Sequence, residues 1–81
     1  MKLLGIGFGN LVNSDRIIAI VEPDSNPVKR LVSASKEKAM LIDATQGRKT
    51  KSVIIMDSDH IILSYLSAKS LNDKLNEEES I

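Results

Sequence analysis

Three cations stand close together in the run Gln46-Gly47-Arg48-Lys49-Thr50-Lys51, and no acid falls between Asp43 and Asp57. Arg48 carries a planar fork that can grip a phosphate through two parallel hydrogen bonds, while Lys49 and Lys51 act as compact point charges. Thr50 adds a hydroxyl donor. Like charges gathered on one rigid connection repel one another unless an anion meets them, and phosphate is the obvious anion. A plain solvated loop carries the same residue types, so this run alone leaves both readings open.

A second cluster, Asp57-Ser58-Asp59-His60, brings two carboxylates and an imidazole together. Metal binding or proton transfer would need such groups. However, His60 is the only histidine and the chain has no cysteine. A two-histidine site or a histidine relay would have to borrow from another chain, and thiolate sites are excluded. Asp and Ser are also the ordinary residues of tight turns, and a turn is the reading adopted. Tyr65 has no visible catalytic partner. No metal, cofactor or small-molecule substrate is expected.

The glycines of Gly5-Ile6-Gly7-Phe8-Gly9-Asn10 resemble a dinucleotide fingerprint, but Asn10 stands where its last glycine belongs. A bulged strand or a tight packing site is expected instead. Two further places carry cations. Arg16 follows the turn cluster Asn13-Ser14-Asp15 and can reach solvent or pair with Asp15 or Glu22. Lys29 and Arg30 fall in the first turn of a helix, where the dipole disfavours positive charge, which hints at an external anion.

These side chains need elements to hold them. Val53-Ile54-Ile55-Met56 is a continuous apolar run, the pattern of a strand covered on both faces. Leu41-Ile42 precedes it, and Gly47 can take the positive φ of a tight connection. The two runs are expected to pair as a β-hairpin with the cations at its tip. Asp57–His60 then turns into a strand over Ile61–Leu66. Met1–Ile6 and Arg16–Val21 read as strands, with Leu11-Val12 a short extended piece. Asn26 is the expected N-cap of a helix from Pro27 to Lys38, with Val28, Leu31, Val32, Ser35 and Ala39 on one face. Ser67 caps a last helix whose stripe, Ala68, Leu71 and Leu75, is thin enough to lean on a neighbouring subunit. The expected class is α+β: a mainly antiparallel sheet, one long helix packed on it, and a short C-terminal helix.

Eighty-one residues suffice for one domain. The net charge of zero conceals an asymmetry: residues 1–70 hold ten cations against seven acids. Residues 1–70 read as the binding domain and 71–81 as an acidic, mobile tail. No stretch approaches the length of a transmembrane helix and no secretory signal is visible, so a cytoplasmic location without membrane contact is expected.

In order and spacing, Gly7-Phe8-Gly9-Asn10, Arg16, Pro27-Val28-Lys29-Arg30, Leu41-Ile42-Asp43-Ala44-Thr45, Gly47-Arg48 and Met56-Asp57-Ser58-Asp59-His60 closely resemble the RemA family of small bacterial DNA-binding regulators. The resemblance covers about residues 2–66. It implies a non-enzymatic transcriptional activator, including of biofilm matrix genes, with a LytTR-like fold. It also implies a homo-oligomeric ring whose basic rim engages double-stranded DNA. The family's DNA-binding arginines match Arg16 and Arg48. Lys49 and Lys51 stand where arginine is usual, which keeps the charge and loses the bidentate fork.

The expected contact set is therefore Arg16, Arg48, Lys49, Thr50 and Lys51, with Lys29 and Arg30 as further candidates. The competing reading is a non-enzymatic interaction scaffold whose basic loop meets an acidic partner. A small enzyme built on Asp57, Asp59 and His60 is the least supported.

Overall fold

A computed structural model describes residues 1–79. The chain opens with a hairpin, β1 (Leu3–Gly7) against β2 (Asn10–Asn13), with its register shifted between Gly5 and Gly7. A 3-10 turn at Ser14–Arg16 leads into β3 (Ile17–Val21). Then come α1 (Asn26–Glu37), β4 (Leu41–Asp43), β5 (Ser52–Met56), β6 (Ile61–Ser64) and α2 (Ala68–Glu79). β3 to β6 form one sheet in the order β3-β5-β6-β4.

The apolar run expected to be covered on both faces occupies an inner position of this sheet as β5. Val53 and Ile54, which point to opposite faces, are both fully buried. The Asp57–His60 connection makes the expected tight hairpin to β6, with Ile54 opposite Ile62. The other expected hairpin does not form. β4 pairs parallel with β6, Leu41 opposite Ile61 and Asp43 opposite Leu63, and β6 lies between β4 and β5. The reason is the supply of edges. β5 has two, one taken by β3 and the other by β6 through its short turn, so β4 has only the far edge of β6. The sheet is consequently mixed, its β3–β5 and β5–β6 pairings antiparallel as expected and its β4–β6 pairing parallel, and β3–α1–β4 is a crossover joining two strands that run the same way.

One face of this sheet carries the core. Ile54, Met56 and Ile62 meet Leu4, Ile6 and Val12 from the β1–β2 hairpin and Leu71 from α2. Two serines join the layers: Ser64 Oγ donates to the Ile6 carbonyl at 2.9 Å and Ser52 Oγ donates to the Leu66 carbonyl at 2.7 Å. Both serines are fully buried, and these bonds offset the desolvation of their hydroxyls. Lys74 Nζ donates to the Gly5 carbonyl at 3.1 Å, tying α2 to β1. Leu71 is thus a residue of this chain's own core, and the expected reliance of α2 on a neighbour is not needed for Leu71. The boundary expected at Leu71 falls inside α2, which has the same length as α1; Ser80 and Ile81 lie outside the described residues.

The opposite face is met by α1, more loosely than expected. Only Ser35 of this helix is buried and Leu31 stays exposed, with a cleft of about 450 Å³ between Leu31, Ser35, Ile55 and Ile61. Among the strands this helix packs chiefly against β4. Its N-cap is Ser25, one residue before the expected Asn26; Ser25 Oγ accepts from the Val28 amide at 3.3 Å, and Pro27 sits in the first turn. The helix ends at Glu37 with Lys38 as its C-cap, and the next residue, Ala39, takes φ +58 where glycine is the usual choice. Replacing Ala39 by glycine removes the left-handed strain of a Cβ and should raise stability by about 0.5 kcal/mol net of the glycine entropy cost, read as a higher urea midpoint.

Candidate nucleic-acid interface

The parallel strands β3, β4 and β6 all finish at the end of the sheet where β5 begins, since Val21 is opposite Val53 and Ser64 opposite Ser52. The connections at that end are residues 22–25, 44–51 and 65–67. The same topology places the start of α1 there as well. The basic run is therefore a connection that passes beyond the end of β6.

Its shape is set by two local devices. Gln46 and Gly47 both have positive φ, at 54° and 79°, and the Arg48 amide donates to the Thr45 carbonyl at 2.9 Å. This is a primed type of turn, and Gly47 takes the conformation its sequence position suggested. Before it, Asp43 Oδ1 accepts from both the Thr45 amide at 2.9 Å and Thr45 Oγ1 at 2.6 Å. Thr45 is buried, so this clasp anchors the turn to the end of β4. After the turn, the Lys51 amide donates to the Ser64 carbonyl at 2.9 Å and returns the chain to the sheet.

The clasp has an electrostatic signature. The Thr45 hydroxyl, and then its amide, hold the Asp43 carboxyl below its ordinary value, against a small opposing effect of burial. A depressed carboxyl contributes stability that is complete above its unfolded value and is lost as pH falls through the folded one. The stability difference between wild type and Asp43→Asn should therefore shrink on acidification below about pH 4. Urea midpoints measured from pH 6 to pH 2 check this, with a constant difference as the contrary result.

Arg48, Lys49 and Lys51 are exposed, and Thr50 is partly covered. Among the described residues none of these three cations, nor Lys29 or Arg30, lies within ion-pair distance of a carboxylate. Lys29 shares a groove of about 300 Å³ with Thr50, Val53 and Leu63, which joins the helix to the basic run. Arg30 lies beside Lys29 in the first turn of α1. Glu22 and Asp24 occupy the connection before this helix, so the end is mixed in charge near β3 and cationic near β6.

Arg16 is elsewhere. Ile17 is opposite Met56, so Arg16 lies at the other end of the sheet, beside the β5–β6 turn. Its Nη1 donates to Asp57 Oδ2 at 3.1 Å, where Asp15 or Glu22 was the expected partner. The pair is largely open to water and contributes at most about 1 kcal/mol. Within one chain the fold thus gathers Arg48, Lys49, Thr50, Lys51, Lys29 and Arg30 and sets Arg16 apart. In the same turn, Ser58 Oγ and His60 Nδ1 are 2.7 Å apart, and the Asp59 amide donates to the Met56 carbonyl at 3.2 Å. These are the bonds of a hairpin turn. Among the described residues no group of three or more His, Cys, Asp or Glu side chains could hold a metal ion, and no helix is long and apolar enough to cross a membrane.

The Gly7–Asn10 turn of the first hairpin is also at the basic end. Gly7, Phe8 and Gly9 all have positive φ, and the Phe8 and Tyr65 rings lie 4.7 Å apart. A Cβ at Gly7 would overlap the Tyr65 ring, so the tight packing expected of this segment is what Gly7 provides. Sequence reasoning missed Asp43 as the anchor of the basic turn. The signal available was Asp43-Ala44-Thr45, an acid two residues before a hydroxyl, a common local hydrogen-bonding pattern.

Fold and site together define a small mixed-sheet α+β protein that presents an exposed cationic connection at one end. Residues 3–75 match the family described as extracellular matrix regulatory protein A-like, or RemA-like, and the chain belongs to this family. It is 60% identical to a protein of Finegoldia magna over 82 residues, which cover 98% of this chain and 99% of the other. It is 52% identical over 80 residues to one of Carboxydothermus hydrogenoformans, covering 99% and 92%, and 51% identical over 80 residues to one of Acetivibrio thermocellus, covering 99% and 86%. All three carry provisional names as regulatory proteins.

Proposed function

We propose that this regulatory-family protein binds double-stranded DNA as a homo-oligomer, through the connection that carries Arg48, Lys49, Thr50 and Lys51. It acts as a cytoplasmic transcriptional regulator, of biofilm matrix genes where its family resemblance is followed to the end. The observation that carries the reading is the set of three exposed cations on an anchored turn, with no carboxylate within ion-pair distance among the described residues. Lys29 and Arg30 extend that surface. Arg16 contributes from the other end of the sheet, by exchanging Asp57 for a phosphate.

A single copy offers few phosphate contacts and binds weakly on its own. Repetition supplies the rest through effective concentration. Two features support assembly. Both edges of the main sheet are open, and both carry exposed apolar side chains, Ile18 on β3 and Ile42 on β4. These edges run in the same direction, so joining β3 of one copy to β4 of the next is a head-to-tail contact. Contacts of that type close into rings when the rotation permits.

Light scattering should give a multiple of the chain mass, and fluorescence anisotropy with duplex DNA should give an affinity that falls steeply with salt. With about six phosphates met across copies, log K against log salt should have a slope near −5. A monomer that shows no salt-dependent binding would end this reading. Binding to an acidic protein but not to DNA or heparin would favour a scaffold instead.

A further inference from the structure

We infer that Phe8, held out by the first hairpin and seated on Tyr65, is a non-electrostatic nucleic-acid contact beside the cationic turn. The inference rests on the DNA-binding reading above and adds a second kind of contact to it. Phe8 is 44% exposed at the tip of a turn, and its φ of +56° is a conformation that bulky side chains rarely adopt. Glycine or asparagine would fit that position without strain. A strained, exposed aromatic kept in place by its surroundings is a pattern found at ligand-contact positions.

The surroundings hold it in two ways. Tyr65 lies 4.7 Å from Phe8 with the rings tilted by 37°, and the lack of a side chain at Gly7 makes room for the tyrosine ring. Tyr65 is itself fixed from both sides. The carbonyl of Ser64 accepts from the Lys51 amide, and the carbonyl of Leu66 accepts from Ser52 Oγ. The residues flanking Tyr65 are therefore bonded to the last residue of the cationic run and to the one after it. A concavity of about 280 Å³, lined by Asn10 and Leu11 from the hairpin and by Gln46 from the basic turn, joins the two turns directly.

Two turns at one end of the sheet thus present different chemistry side by side. Arg48 and the lysines suit the phosphate backbone. The Phe8 ring suits the face or edge of a base step, where apolar side chains act as wedges in a deformed groove. Neighbouring exposed cations favour nucleic acid over a protein partner as what covers the ring.

The test uses the assembled full chain and a fluorescent duplex of mixed sequence, with Phe8→Asn and Phe8→Ala measured beside wild type. Asparagine tolerates the left-handed turn, so Phe8→Asn should fold and assemble as wild type does. Both variants should bind about tenfold more weakly, while the slope of log K against log salt stays unchanged because no ionic contact is lost. Unchanged affinity in either folded variant would overturn the inference. So would a smaller particle by light scattering, which would make Phe8 a contact between copies. Failure of the DNA-binding reading itself is separately visible, as absence of salt-dependent binding by wild type.

Discussion

Arg48→Ala should abolish retention of duplex DNA in a gel shift while leaving the size of the particle unchanged. Arg48 is exposed, its side chain has no ion-pair partner among the described residues, and the turn below it is held by backbone bonds and by the Asp43–Thr45 clasp. Removing the guanidinium therefore leaves the fold as it is. The loss repeats on every copy that meets the DNA. At about 1–3 kcal/mol for each charge-assisted contact, two or three copies together lose at least about thirtyfold in affinity. Arg48→Lys separates charge from fork: it should keep the salt slope and lose only part of the affinity. Undiminished retention by Arg48→Ala would remove this turn from the proposed contact surface.

Gly7→Ala should cost about 3 kcal/mol of folding stability, the largest effect expected of so small a change. Gly7 has φ +107°, unfavourable for any L-residue, and its added methyl would overlap the Tyr65 ring. Overlap of that degree forces the ring away and disturbs the hairpin that supplies Leu4, Ile6 and Val12 to the core. Tyr65→Ala identifies the cause. In its background, Gly7→Ala should cost only the backbone strain, about 1 kcal/mol, leaving about 2 kcal/mol of coupling between the two positions. Urea denaturation of the four proteins measures it, and simple additivity would show that the ring is not what Gly7 accommodates.

The parts of the fold that were legible in the sequence are those decided locally. Val53–Met56 announces a buried strand by composition, and Asp57–His60 announces the tight turn that follows it. The cap at Ser67 is equally local, since the Ser70 amide donates to Ser67 Oγ at 3.1 Å. The pairing of Leu41–Asp43 was not legible. It spans only three residues, and its partner is decided by which sheet edge remains free after β3 and β6 have flanked β5. The role of Leu71 was hidden for a similar reason. One leucine on a thin stripe looks insufficient until the β1–β2 hairpin and the sheet close around it.

The candidate site was legible as a set of residue types and only partly as a place. Gly47-Arg48-Lys49 marks an exposed basic turn from sequence alone. Its neighbourhood depends on the crossover, which returns the start of α1, with Lys29, to the end where residues 44–51 emerge. Arg16 looked equivalent to Arg48 in one dimension, but it precedes β3, which starts at the far end of the sheet, and so lies against Asp57.

The Asp43–Thr45 clasp has a consequence for how such a protein can change over generations. Because the turn is secured by this clasp and by its own backbone bond, the exposed side chains of Arg48 and Lys49 bear little of the folding energy. Substitution of those side chains changes the chemistry the turn offers to solvent without endangering the scaffold, so this surface tolerates change that the buried residues beneath it do not.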